Sequence, residues 1–339
     1  MAAYHARMSP VSPLRRRLPL LRLVTGLIAV CLLVPGVLSG CGTPSPSGPD
    51  ASALERTPSA AASPDGTGAP TPKPGPLVDP KLKVGEWRHA WQVVGLLRAR
   101  PPRDPVVLYL GDSTARESVV SDAAWTRELR RRGVPVRALT LASHDQTFRT
   151  DRRFIEELPP LRGLALIGVS LSRFVGPPVR GPFGRPAAFK PGHRPRLSHW
   201  VRHYYDTRPA RSSASKAARV VHWELSRTGR FRRFEAANLR ALAKLVVACR
   251  KRGLRPVLVQ LPLNQAVVGH QLATERAALS RGCRRVAGKL HVRFLDFQLA
   301  PDLTSTDFFD ICHLVRPGAV KWQRALTGWT VRLLPGYGG

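Results

Sequence analysis

Two short clusters of chemically able residues lie about two hundred positions apart in this chain: Gly111-Asp112-Ser113, and Asp310-Ile311-Cys312-His313 near the C-terminus. A serine hydroxyl is a weak nucleophile until a base takes its proton, and the base works best when a third group fixes its tautomer. Ser113, His313 and Asp310 are the residue types for those three roles. The reaction they suggest is acyl transfer from an ester through a covalent intermediate on the serine.

Such a set needs a frame that brings distant residues together. Val106-Val107-Leu108-Tyr109-Leu110 is a continuous apolar run of the kind a buried parallel strand shows. Ala115 to Arg132 after it reads as a helix, so Ser113 is expected on a strand-to-helix turn, beyond the carboxyl end of the strand. There the free N–H groups of a first helical turn can stabilise negative charge. Further strands are expected at Val136–Leu141, Leu164–Val169, Pro256–Leu261 and Val292–Leu295, alternating with helices. This pattern implies a three-layer α/β/α sandwich on a five-stranded parallel sheet, flavodoxin-like in type. Val84, Trp87, Trp91 and Val94 recur at helical spacing ahead of the first strand, and Trp322, Leu326, Trp329 and Leu333 do so after the last; both sets read as core stripes.

The Gly-Asp-Ser and Asp-x-x-His blocks in this context resemble the SGNH (GDSL-type) hydrolase superfamily, over about Asp104 to Pro335. The resemblance implies an SGNH-type α/β fold, esterase or acyltransferase chemistry without a cofactor, Ser113 as nucleophile, and Asp310 and His313 as its partners. The middle blocks depart from the family pattern. Where the family offers a glycine N–H to the oxyanion, the turn here reads Leu141-Ala142-Ser143-His144-Asp145-Gln146, which leaves a backbone N–H at Ser143 for that role. Where the family has an asparagine, the turn here is Gly168-Val169-Ser170. Ser170 could donate its hydroxyl in place of the amide. Asn264, just past the fourth strand on the same edge, could do so instead, or could cap the next segment. Loss of one oxyanion donor costs on the order of 10² to 10³ in rate, so a fold kept only for binding is the alternative to an esterase.

The N-terminal eighty residues do not look like core. Arg15-Arg16-Arg17 and Arg22 precede an apolar stretch, Leu23 to Leu38, ending in Leu38-Ser39-Gly40-Cys41. This is the layout of a secretory signal peptide over residues 1–40. Its last four residues resemble the lipobox of bacterial lipoproteins, which implies lipid attachment at Cys41 and a location on the outer face of the cell membrane. Residues 41–82 are rich in Pro, Ser, Ala, Thr and Gly and read as a tether. The hydrolase-like domain is expected over 83–339, with an insertion at about 171–232 that either walls the substrate groove or forms a basic surface loop. Within it His199 and His203 lack a third ligand type nearby, so no metal site is expected.

The chain of 339 residues carries a net charge of +32; five arginines lie in Met1–Gly40, which leaves +27 outside it. That field favours an anionic partner such as an acidic wall glycan or polymer. No nucleic-acid motif is present, and none is expected as a partner. Of five cysteines, Cys31 falls in the signal region and Cys41 at the lipobox. The remaining Cys249, Cys283 and Cys312 allow one disulfide in an oxidising compartment. Cys249 with Cys283 is the first pairing expected, and Cys283 with Cys312 the alternative.

Overall fold

The computed structural model describes residues 80–179, 209–296 and 303–334, with the side chains of 80–84 left aside. The signal region, Cys31, Cys41, the tether, His199 and His203 lie outside the described residues.

The described chain runs α1 (Pro80–Ala99), β1 (Val106–Gly111), α2 (Ser113–Arg116), α3 (Asp122–Arg131), β2 (Arg137–Ala142), α4 (Phe148–Glu157) and β3 (Gly163–Val169). It continues through α5 (Ser213–Lys251), β4 (Leu254–Gln260), α6 (Gln265–Val268), α7 (Ala273–Lys289), β5 (Arg293–Leu295) and α8 (Arg316–Leu333). The five strands form one parallel sheet in the order β2-β1-β3-β4-β5. Side chains of each strand alternate between two cores. Leu108, Leu110 and Ile167 face a layer with Trp91 of α1, Phe154 of α4 and Leu242 of α5. Val107, Tyr109 and Leu166 face Trp125 of α3 and Trp322 of α8. This is the three-layer sandwich expected from the alternation of elements. Trp87, Trp91, Trp322, Leu326 and Leu333 are buried as expected of core stripes, and Trp329 is half-buried.

Two expectations need correction. The single helix expected over Ala115–Arg132 is two, because the stretch between them bonds back on itself. Ser118 Oγ donates to the Ala115 carbonyl at 2.8 Å, and Ser121 starts a new helix by accepting from the Ala124 N–H at 3.1 Å. Serines offer the backbone such alternatives to helical continuation. The second correction concerns the insertion: its final part, from Ser213 on, is the first half of α5, which runs unbroken to Lys251.

In this strand order the chain switches direction between β1 and β3, and in open parallel sheets the crevice at the carboxyl ends of such a pair is where ligands bind. Gly111 ends β1 there. A side chain at this position would collide with Ala115 of α2, so only glycine lets the helix turn directly over the strand.

Candidate functional site

Ser113 is the first residue of α2, and Asp112 before it caps that helix by accepting from the Thr114 N–H at 3.0 Å. The other end of the site is a tight loop ahead of α8. Thr304 and Asp307 form a capping box around a 3₁₀ turn at Ser305–Asp307, a single antiparallel bridge joins Phe308 to Leu314, and the Phe309 N–H donates to the His313 carbonyl at 2.8 Å. Lys321 of α8 holds Asp307 at 2.9 Å from below. The loop thus presents Asp310 and His313 on a short, braced hairpin.

Across the crevice Ser113 Oγ stands 3.0 Å from His313 Nε2. His313 Nδ1 is 3.0 Å from each carboxylate oxygen of Asp310. Asp310 Oδ1 also accepts the backbone N–H groups of Cys312 at 3.0 Å and of His313 at 2.9 Å. Burial by itself would raise the Asp310 carboxyl. The His313 imidazole, its hydrogen bonds and the Cys312 N–H outweigh burial and hold the group well below the ordinary carboxylate range. An ionised carboxylate on Nδ1 makes that nitrogen the donor and leaves Nε2 free to accept from Ser113. The Asp310 side chain is 2% exposed and that of His313 13%, so water can reach the base but hardly its anchor. The arrangement can move a proton from Ser113 to His313 and return it to a leaving group.

Of the three residues expected to serve the oxyanion, Ser170 and Asn264 have their side-chain donors engaged elsewhere, while Ser143, expected to act through its backbone N–H, has its hydroxyl engaged. Ser170 Oγ donates to Asp112 Oδ2 at 2.9 Å, and Ser172 Oγ reaches the same oxygen at 2.5 Å. Ser170 therefore orients the residue before the nucleophile, and its hydroxyl does not stand open to substrate. Ser143 Oγ donates to Gln146 Oε1 at 2.8 Å within its own buried turn. Asn264 turns its amide toward the catalytic loop, 3.4 Å from the Asp310 carbonyl and 3.3 Å from Ser305 Oγ, while its backbone N–H donates to the Ile311 carbonyl at 2.9 Å. It braces the histidine loop. Its side chain makes no capping bond to α6. In each case a nearby buried acceptor competes for the donor, and burial makes an unpaired acceptor costly.

Cys249, Cys283 and Cys312 are all free thiols. The expected Cys249–Cys283 disulfide is not formed, nor the Cys283–Cys312 alternative. Cys249 and Cys283 sit instead as small apolar groups in the core beside α5 and α7. Burial raises both thiols, Cys283 to about 12. Cys312 is half-buried, with Sγ 3.7 Å from His313 Nδ1. Asp310, Cys312 and His313 bring metal-ligating atoms within 4.8 Å of one another, but an ion there would have to displace the bond that orients His313.

Several residues of the site carried no signal in the sequence. Arg219 of α5 places Nη2 3.7 Å from Asp310 Oδ2, and Lys216, one turn earlier, donates to the Ser305 carbonyl at 2.6 Å. On the nucleophile side, Glu86 of α1 pairs with the buried Arg116 of α2 at 3.0 Å and accepts the His144 N–H at 2.7 Å. These are charged residues in a chain full of charge. Burial distinguishes Lys216, Glu86 and Arg116, and only its place beside Asp310 distinguishes the part-exposed Arg219.

No family model matches this chain, and no curated protein does. Among solved structures it is similar to Axe2, an acetylxylan esterase from Geobacillus stearothermophilus, at 13% identity over 67% of this chain and 94% of that one, with a TM-score of 0.43. It is also similar to a catalytic mutant of the same enzyme, at 12% identity, with the same coverage and TM-score. A Streptococcus pneumonia protein provisionally named a platelet activating factor is similar at 11% identity over 74% of this chain and 95% of that one, with a TM-score of 0.41. Nothing about substrate transfers at this level of likeness.

Proposed function

We propose that the protein is a serine esterase, lipid-anchored through Cys41 on the outer face of the cell membrane, that removes acyl groups, acetyl among them, from an anionic cell-envelope glycan or polymer. The observation that carries this reading is the unbroken line from Ser113 Oγ to His313 Nε2 at 3.0 Å and from His313 Nδ1 to Asp310 at 3.0 Å.

In the proposed reaction Ser113 Oγ attacks the ester carbonyl while His313 Nε2 accepts its proton. The imidazolium, stabilised by the Asp310 carboxylate, then protonates the departing alcohol, leaving an acyl group on Ser113. Water attacks the acyl carbonyl while giving a proton to the same nitrogen, and that proton passes to Ser113 Oγ as the acyl–oxygen bond breaks and the acid departs. The Ser113 N–H, in the first turn of α2 where backbone donors have no helical partner, serves the oxyanion. Ser143 keeps its place in the proposal through its backbone N–H, since its hydroxyl is engaged. A sugar hydroxyl in place of water would make the same residues an acyltransferase.

The anchor rests on Leu38-Ser39-Gly40-Cys41 after the apolar stretch, and the anionic substrate on the +27 carried outside the signal region. Among the described residues no helix is long and apolar enough to cross a membrane.

The test is hydrolysis of p-nitrophenyl acetate and butyrate by the full-length protein and by Ser113→Ala, with mass spectrometry for a fluorophosphonate adduct on Ser113. Turnover lost in the variant, with a single adduct in the native protein, is expected. Neither turnover nor adduct would reduce the protein to a binding module on an esterase-like frame.

A further inference from the structure

Four residues of α5 fall along one side of the helix: Lys216, Arg219, Trp223 and Arg227. The first two are engaged with the catalytic loop, Lys216 through the Ser305 carbonyl at 2.6 Å and Arg219 toward Asp310 at 3.7 Å. The next two have a different task. Trp223 and Arg227 line a cavity of about 50 Å³ that starts at Ser170 and Ser172 on one side and at Cys312 on the other. Ser170 is bonded to Asp112, the neighbour of the nucleophile, and Cys312 is the neighbour of the base. The lining therefore adjoins the reacting pair, through Cys312 beside the base and through the Ser170–Asp112 bond beside the nucleophile.

Its walls are chiefly apolar, with Leu171, Leu261, Leu279 and Ile311 facing Trp223. A sugar ring would leave its hydroxyls without partners against such walls, which disfavours it. An acyl chain would not. At roughly 10–15 Å³ for each atom-sized probe, the space holds about three to five heavy atoms. Of the polar side chains in the lining, Ser170 and Ser172 are bonded to Asp112 and Gln260 accepts from Ser280, which leaves Arg227. It is half-buried, and it has no ion-pair or hydrogen-bond partner among the described residues. A guanidinium against apolar walls gains most from a carboxylate, which it can hold with two parallel hydrogen bonds.

Building on the esterase reading, we infer that Arg227 makes this cavity a subsite for a short acyl chain ending in a carboxylate, so that the bond cleaved is a half-ester of a dicarboxylic acid of the size of succinate. Ser113 displaces the alcohol, which leaves with the proton from His313. Water then cleaves the acyl-serine, so the products are the free hydroxyl and the dicarboxylate. Trp223 and Leu279 limit the chain length, and Arg227 selects the charged end.

The experiment compares mono-p-nitrophenyl succinate with p-nitrophenyl butyrate, an acyl group of the same carbon number without the second carboxylate. Native protein, Arg227→Gln and Arg227→Lys are measured for kcat/KM on both esters. In parallel, Ser113→Ala protein, with and without Arg227→Gln, is titrated calorimetrically with monomethyl succinate and methyl butyrate. The succinate-to-butyrate ratio of kcat/KM is expected to fall about tenfold in Arg227→Gln, the size expected of a charge-assisted contact that solvent partly screens, and to fall less in Arg227→Lys. Equal ratios in all three proteins, with Ser113-dependent turnover intact, would overturn the subsite and leave the esterase standing. Arg227-dependent binding of monomethyl succinate without turnover of either ester would keep the subsite and overturn the esterase. No binding preference and no turnover would overturn both.

Discussion

Removing the Ser170 hydroxyl separates two roles for a serine at the edge of this site. Its Oγ is 2.9 Å from Asp112 Oδ2 and 2.8 Å from Ser172 Oγ. In Ser170→Ala, Asp112 loses one of three donors but keeps the Thr114 N–H on one oxygen and Ser172 on the other. A hydrogen bond to a buried charged acceptor contributes about 1.5–3 kcal/mol, and the remaining donors should hold the variant near the lower figure. The nucleophile turn keeps its N-cap, so kcat on p-nitrophenyl acetate should stay within about threefold, the scale of a small misalignment and far from the 10² to 10³ of a lost oxyanion donor. Guanidinium unfolding at constant m-value gives the first number, and initial rates of the folded variant give the second. A variant with native stability and a kcat lowered a hundredfold or more would refute this reasoning, because the hydroxyl would then be acting on substrate and not on Asp112.

Asp310→Asn should lower kcat by roughly 10³ to 10⁴, since the amide no longer fixes the His313 tautomer, and steady-state rates with p-nitrophenyl acetate would check this. The Asp310 carboxyl is held below its ordinary range in the folded protein, so its contribution to stability is complete above the unfolded-state value and fades as pH falls below it. Asp310→Asn should therefore flatten the acid limb of stability against pH, and an unchanged limb would contradict the pairing. Glu86→Ala should destabilise the protein by about 1–3 kcal/mol, because the buried Arg116 keeps Glu117 as a partner while the His144 N–H loses its acceptor; denaturant melts decide it. Among Cys249, Cys283 and Cys312, a thiol reagent should label only Cys312 in the native protein and all three after unfolding without reductant; one thiol in both states would mean a disulfide joins the other two.

The sheet was legible because its strands advertise themselves. Val106 to Leu110 and Leu164 to Val169 are buried on both faces, so they read as unbroken apolar runs, and the helices between them dictate parallel pairing. What was not legible was where a helix breaks or continues. The interruption after Arg116 depends on Ser118 bonding to the Ala115 carbonyl and to Tyr109 across the turn, a choice that Ser118 shares with many helical serines. The first half of α5 hid for the opposite reason. Only Val220, Trp223 and Phe231 are large buried apolar residues before Asn238, while Val221 and Leu225 are exposed, so no clean stripe stands out from the surrounding arginines.

The candidate site divides along the same line. Ser113, Asp310 and His313 could be found because their roles demand particular residue types on particular elements, and that demand shows in sequence. Ser143, Ser170 and Asn264 were assigned by position alone, and position fixes only which edge of the sheet a residue occupies. Where its hydroxyl or amide points is set by the most costly unpaired group within reach. At this edge those groups are the Asp112 carboxylate and the carbonyls of the histidine loop, each buried and each unable to turn to solvent. Ser170 and Asn264 are thus committed to Asp112 and to the histidine loop, and the Ser143 hydroxyl to its own turn. On the proposed reading the oxyanion is left to backbone N–H groups, and specificity to the wall that sequence made least conspicuous, the α5 face bearing Trp223 and Arg227.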